Sequence, residues 1–326
     1  MKKNNPIKIS EILKAKNILD GKIVTTPLIY DFYLSKKFGA KIFYKAENIQ
    51  RTGSFKIRGA YNKIYNSIKN NKPAGILAWS SGNHAQGVAE AANIFNIKST
   101  IVMPKDAPQN KINGTKSRKA NIIFYNRKTE NREDIGNSIA RKNNLLIIPP
   151  YDDPDVIAGQ GTIGLEIIEQ ISKYDLFPDK VLVPTGGGGL IAGIATAIKN
   201  KFNNTNIYSI EPNKFADYSK SIKNKKIYKN NMNNQSICDS LLANQPGEMT
   251  FNINKNLIKK GLTVTDNQVL NAIRYAYMNL GLILEPGGAV GLAAILNQKT
   301  IIKDKTIVIV LSGSNIDTKV FKKAIQ

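Results

Sequence analysis

Val181-Leu182-Val183-Pro184-Thr185 runs straight into four consecutive glycines, Gly186 to Gly189, and then into an amphipathic stretch over 190–199. A buried strand that turns through glycine into a helix commits its surroundings to α/β layering, because parallel strands are joined by crossover helices. The same alternation extends through most of the chain. Strands are predicted over 75–79, 99–103, 121–125, 145–148, 180–184, 207–210 and 305–311. Helices are predicted up to about 92 and over 110–119, 130–143, 161–171 and 190–199. Strand, helix, strand in this order predicts parallel sheets with helices on both faces. Ligand sites on such sheets lie beyond the carboxyl ends of strands, where the glycine run falls.

The glycine run admits two chemistries. Glycines let the backbone approach an anion, and a helix N-terminus supplies N–H groups and a favourable dipole, so the turn suits a phosphate. Gly187, Gly189 and Ala192 also satisfy the spacing of a dinucleotide site, and Glu211 ends the next strand where a ribose-binding acid belongs.

A second segment bears on that choice: Lys45-Ala46-Glu47-Asn48-Ile49-Gln50-Arg51-Thr52-Gly53-Ser54-Phe55-Lys56-Ile57-Arg58-Gly59. Ser54 is predicted to cap a helix that starts beside Lys56. Desolvation at a buried helix start lowers a lysine's pKa and frees a nucleophilic amine, the setting in which an aldehyde cofactor forms an imine. The plain alternative is a solvated lysine, one of many in this chain. Ser80-Ser81-Gly82-Asn83-His84 forms another strand-to-helix turn, with Ser80 or Ser81 placed to cap and amides suited to an anion such as a carboxylate.

Composition narrows the class. The chain has 326 residues, 42% of them hydrophobic, enough for two packed lobes. No apolar run reaches membrane-span length, residues 1–6 lack a signal-peptide core, and a single cysteine, Cys238, fits a reducing cytoplasm. The formal net charge of +23 comes from lysines scattered among asparagines, as in Lys69-Asn70-Asn71-Lys72. No basic repeat or aromatic-interleaved basic face is present, so weak attraction to anionic surfaces is expected and no specific nucleic-acid partner.

Taken together, the lysine segment, the Ser80–His84 turn, Pro149-Pro150-Tyr151-Asp152-Asp153-Pro154, Ala158-Gly159-Gln160-Gly161-Thr162, the glycine run and Ser312-Gly313-Ser314-Asn315 resemble, in order and spacing, the landmarks of the serine/threonine dehydratase and serine racemase family. These pyridoxal-phosphate enzymes have the tryptophan-synthase-β type of fold. The resemblance spans the chain from about residue 9. It implies two open, twisted, mostly parallel sheets flanked by helices. A small lobe (75–151) is inserted in a large cofactor-binding lobe (1–74 and 152–326), with no C-terminal regulatory domain. It also implies a homodimer.

By the same resemblance, Lys56 holds pyridoxal 5'-phosphate next to Phe55, and Gly186, Gly187, Gly188 and Gly189 hold its phosphate. Asn83 meets the ring oxygen and Ser312 the pyridine nitrogen. A neutral hydroxyl there makes the ring a weaker electron sink, which favours β-elimination over transamination. Ser80, Ser81, Gly82 and His84 belong to the substrate-carboxylate loop, His84 in a structural role. Ser81 is the proton donor on the face opposite the lysine. Glu211, Asp217 and the carbonyl of Phe215 match a site for Mg²⁺ or Ca²⁺.

The implied activity is dehydration and deamination of L-threonine and L-serine. Serine racemase and 3-hydroxyaspartate dehydratase are the alternatives, with Arg132 as the residue placed to meet a second carboxylate. A cofactor or nucleotide sensor without turnover is the non-enzymatic one. Three positions depart from the pattern. Ser240 and Ser314 stand where glycine is usual, and Glu285-Pro286-Gly287-Gly288 shows glycine where serine or threonine is common. The two serines are expected to crowd the cofactor.

Overall fold

The structure, a computed structural model, describes residues 7–70 and 73–326; the stretch 1–6 and the Asn71-Lys72 pair lie outside the described residues. Among the described residues ten strands form two sheets: β1 Leu28–Tyr30, β2 Lys41–Lys45, β3 Gly75–Trp79, β4 Ser99–Pro104, β5 Asn121–Tyr125, β6 Leu145–Ile147, β7 Lys180–Pro184, β8 Asn206–Pro212, β9 Ile258–Val264 and β10 Thr306–Val310. The larger sheet has the order β1-β2-β10-β7-β8-β9 and the smaller β5-β4-β3-β6. Every pairing is parallel except β1 with β2. The expected architecture of two mostly parallel sheets flanked by helices is the one observed.

The larger sheet is buried on both faces because its strands are apolar at successive positions. Ile307 and Ile309 of β10 join one core with Ile42, Tyr44 and Leu182. Their neighbours Val308 and Val310 join the opposite core with Phe43, Val181 and Val183. This is the two-residue alternation of a strand, with both sides covered by helices. A third core, with Ile76, Ala78, Ile101 and Met103, packs the smaller sheet.

Two sequence expectations change. The helix expected over 161–171 runs from Pro154 to Ser172, with Asp153 Oδ1 accepting from the N–H groups of Asp155 (2.9 Å) and Val156 (3.1 Å). Its interior glycines serve close packing: a Cβ on Gly159 would lie 2.6 Å from the Arg58 carbonyl oxygen. Strands β1, β2 and β9 had no counterpart in the sequence reading. β1 has three residues, β2 is bracketed by lysines, and β9 is an edge strand carrying the exposed pair Lys259 and Lys260.

Candidate active site

Five chain segments meet around Lys56. Ser54 forms an isolated bridge with Gly313, and the Phe55 N–H donates to the Ser312 carbonyl at 3.2 Å, so the lysine segment is joined to the turn after β10. The Lys56 Nζ donates to the Pro150 carbonyl at 2.7 Å and lies 5.3 Å from the centre of the Phe55 ring. The next residue, Tyr151, forms one wall of the glycine turn. Its ring fills the space a Cβ on Gly187 would need, and its carbonyl oxygen lies 2.9 Å from the Cβ position of Gly189. Gly188 has φ +94° and faces the buried Tyr218 hydroxyl, so no other residue fits there without strain. The Gly186–Gly189 turn leads directly into the helix Gly189–Lys201.

Asn83 ties its own turn to the Glu285 segment and to the turn after β10. Its Nδ2 donates to Glu285 Oε1 at 2.6 Å, and its Oδ1 accepts from Asn315 Nδ2 at 2.7 Å. Glu285 is a site residue that the sequence reading missed as such. A glutamate before Pro-Gly-Gly reads as an ordinary acidic helix start, yet this one is buried. Burial, reinforced by the charge of Asp239, pushes its carboxyl up to about 7 against the opposing effects of Lys111, Asn83 and Ser240.

The electrostatics around Lys56 follow from burial. Desolvation lowers its ammonium pKa to about 8, and the Glu285 charge partly counters the fall. His84 is pushed down to about 3, by burial first and by Lys56 second. It is therefore neutral, and its Nε2–H donates to the Ile148 carbonyl at 2.8 Å. A histidine committed to a backbone carbonyl holds the turn in place and has no proton to exchange.

Two capping expectations are corrected. Ser54 does not cap the lysine helix: its hydroxyl is buried without a hydrogen-bond partner, because the residue is drawn into the bridge with Gly313. Neither Ser80 nor Ser81 caps the next helix, Asn83–Ile94. Gly82 is its N-cap and no side chain bonds there, while Ser80 Oγ accepts from the Gly82 N–H at 3.2 Å. Ser80, Ser81 and Gly82 are half-buried, and Ser312 is buried. An unpartnered hydroxyl at Ser54, a lysine amine of lowered pKa and a side-chain-free phosphate turn suit an aldehyde cofactor bearing a phosphate.

The dinucleotide reading fails at Glu211. Instead of facing a ribose, its buried carboxylate accepts from Tyr218 N (2.8 Å), Ser219 N (2.7 Å) and Ser219 Oγ (2.6 Å). It stands beside Asp217, whose Oδ1 accepts from Asn230 Nδ2 at 2.6 Å and whose Oδ2 is buried with no hydrogen-bond partner. Burial holds both carboxyls well above the usual range, and Asp217 adds to the effect on Glu211. Two facing acids and an orphaned oxygen suit a hard cation. Among the described residues no cluster of three or more acidic, histidine or cysteine side chains is arranged for a metal, so further ligands there would be backbone or water.

Arg132 is exposed at the first turn of the helix Arg132–Asn143, near enough for its charge to act on the Tyr151 phenol. The Ser314 hydroxyl donates to the Asn48 carbonyl at 2.7 Å.

Behind the site lies a buried charge network. The Arg58 guanidinium bonds both oxygens of Glu47, at 2.8 Å each, and both oxygens of Glu166, at 2.6 and 3.0 Å. Lys45 Nζ reaches the same Glu166 at 2.6 Å. This network fixes the start of the helix Lys56–Asn70 two residues after the reactive amine.

Comparison with known proteins agrees with this geometry. The family model described as pyridoxal-phosphate dependent enzyme matches residues 19–313. The chain is 37% identical to an L-threo-3-hydroxyaspartate ammonia-lyase of Saccharomyces cerevisiae over 95% of this chain and 93% of that one. It is 37% identical to an L-threonine ammonia-lyase of Thermotoga maritima over 98% of this chain and 78% of that one. The structure superposes on maize serine racemase with a TM-score of 0.91 and 31% identity, covering 98% of this chain and 97% of that one. With the family model covering most of its length and a lysine amine, a phosphate turn and an asparagine clamp gathered in one place, the chain belongs to the pyridoxal-phosphate dependent enzymes.

Proposed function

We propose that this protein is a β-eliminating ammonia-lyase that converts L-threonine to 2-oxobutyrate and L-serine to pyruvate, each with release of ammonia. The observation that carries the reading is the half-buried Lys56 amine, lowered to about 8 and set between the Gly186–Gly189 turn and the Asn83–Glu285 pair. Pyridoxal phosphate, once bound, supplies the electron sink that acidifies the substrate Cα–H and lets the β-hydroxyl leave.

The chain's own residues do the rest. Lys56 Nζ is the attachment point and, when released, accepts the α-proton; a pKa near working pH suits that exchange. Gly186, Gly187, Gly188 and Gly189 hold the phosphate with backbone N–H groups. Asn83 and Ser312 hold the ring and Phe55 lies alongside. Ser80, Ser81 and Gly82 receive the substrate carboxylate, with the neutral His84 bracing their turn. The Glu211–Asp217 pair, with the Phe215 carbonyl, takes a divalent cation. We read 75–151 as a small lobe inserted in a larger one made of 1–74 and 152–326. We also read a homodimer, supported by exposed Phe32, Tyr33, Tyr277 and Met278 on helices joined by the Tyr275–Asp31 hydrogen bond.

A second reading, 3-hydroxyaspartate as substrate, is favoured by Arg132 beside Tyr151 and by the similarity to the yeast hydroxyaspartate lyase. Serine racemisation is supported by Ser81. A 2-oxoacid assay with L-threonine, L-serine and L-threo-3-hydroxyaspartate, run on wild type and Lys56→Ala, tests the reading. Oxoacid from threonine and serine that disappears in the variant is expected. Turnover restricted to hydroxyaspartate favours the second reading, and no oxoacid from any of the three contradicts both.

A further inference from the structure

The three-residue turn Asp239–Leu241 reaches three sides of the site. Asp239 pairs with Lys111 on the helix Gln109–Lys116, which follows strand β4 of the smaller sheet. Leu241 backs the phosphate turn, its Cα 3.3 Å from where a Cβ on Gly186 would be. Between them the Ser240 hydroxyl lies close enough to favour the charged form of the Glu285 carboxyl, which accepts from Asn83 Nδ2 at 2.6 Å, and Asn83 in turn accepts from Asn315.

Gly287 explains how that hydroxyl fits. It lies in the first turn of the helix Pro286–Leu296 without a positive φ, so its backbone does not require glycine. Glycine is also a poorer helix former than alanine. A Cβ at this position would fall onto Ser240 Oγ, with Leu241 Cγ 3.2 Å and Ser240 Cβ 3.4 Å away. One side chain fits in this space, contributed by position 240 or by position 287. The two departures in the sequence therefore meet at one place in the structure.

We infer that Ser240 is a positioning residue matched to Gly287: its hydroxyl fills the space left at 287 and holds Glu285, and through it Asn83, at the ring end of the cofactor cradle. The inference rests on the proposed cofactor roles for what Asn83 grips, but the Ser240–Gly287 match is independent of them.

A double-mutant cycle tests it. Pyridoxal phosphate affinity is measured by titrating cofactor-free wild type, Ser240→Gly, Gly287→Ser and the double variant, with melting temperatures of the same cofactor-free proteins. Gly287→Ser alone is expected to weaken binding about tenfold or more, and adding Ser240→Gly to recover at least about threefold of that, as for contacting residues. Ser240→Ala removes the hydroxyl, and with it both the contact with Glu285 and the filling of the space at 287. It is expected to weaken cofactor binding at least about threefold while the cofactor-free melting temperature stays within about 2 °C.

A recovery below threefold, or a Ser240→Ala protein with wild-type affinity, overturns the inference. Should Gly287→Ser not fold, the double variant must fold and bind; should neither fold, Ser240→Ala decides by the same threshold. A wild type that binds no pyridoxal phosphate would overturn the functional reading instead. In that case the melting-temperature cycle still reports on the matched pair, with additive shifts counting against it.

Discussion

Lys56 Nζ donates to the Pro150 carbonyl at 2.7 Å, one residue before the tyrosine that walls the glycine turn. The amine is thus held near that turn and is partly desolvated, with its pKa lowered to about 8. The neutral amine is the nucleophile. The capture rate of pyridoxal phosphate should therefore rise about tenfold from pH 6 to 7 and level off above about pH 8.5, whereas an ordinary lysine would keep rising towards pH 10. Glu285→Gln removes the charge that holds the pKa up, so the plateau should move to lower pH. Stopped-flow absorbance across pH checks both.

Arg58 and Glu47 are both fully buried; Glu47 depends on Arg58 for charge balance, and Arg58 on Glu47 and Glu166. Removing one partner leaves an uncompensated buried charge. Arg58→Met is expected to cost about 3–5 kcal/mol of unfolding free energy. Arg58→Lys should also destabilise, since an ammonium cannot span two carboxylates as a planar fork does. Urea unfolding with an unchanged slope and a lower midpoint is the expected result.

The raised carboxyls of Glu211 and Asp217 set a pH dependence of stability. A carboxyl whose folded pKa exceeds its unfolded value contributes stability below the unfolded pKa, about 4, and loses it as pH rises through the folded value. The cation-free protein should thus lose stability from this pair between about pH 4 and pH 8. Mg²⁺ or Ca²⁺ at about a hundred times its dissociation constant should raise the melting temperature at pH 8 by about 5 °C, with less effect at pH 5. In Glu211→Gln/Asp217→Asn both the pH slope and the cation response should shrink.

On the proposed role of Ser81, elimination and racemisation should separate in a variant. Ser81→Ala should lower conversion of L-serine to D-serine by about a hundredfold or more, the scale of a lost general acid, while oxoacid release from L-threonine stays within about threefold. Chiral chromatography beside the oxoacid assay reads the two rates. Equal losses in both would give Ser81 a binding role only.

The legible part of this protein was its set of strand-to-helix turns. Lys56, the Ser80–His84 loop, the glycine run and the Ser312 turn each carry a local pattern, and parallel-sheet topology gathers such turns at one end. What stayed hidden depends on distant partners. Glu285 is 202 residues from Asn83, and Lys111 is 128 from Asp239, so neither pairing leaves a local trace. Ser54 looked like a helix cap because caps are judged from neighbours, and the Gly313 bridge is invisible there. Ser240 and Gly287 stood out singly as departures, and only their contact in space makes them one feature.

The most direct test of the central claim is to treat the protein reconstituted with pyridoxal phosphate with borohydride, digest it and locate the reduced adduct by mass spectrometry. The account expects a phosphopyridoxyl group on Lys56, lost in Lys56→Ala. An adduct confined to another lysine, or none on a protein that still releases 2-oxoacid, would contradict it.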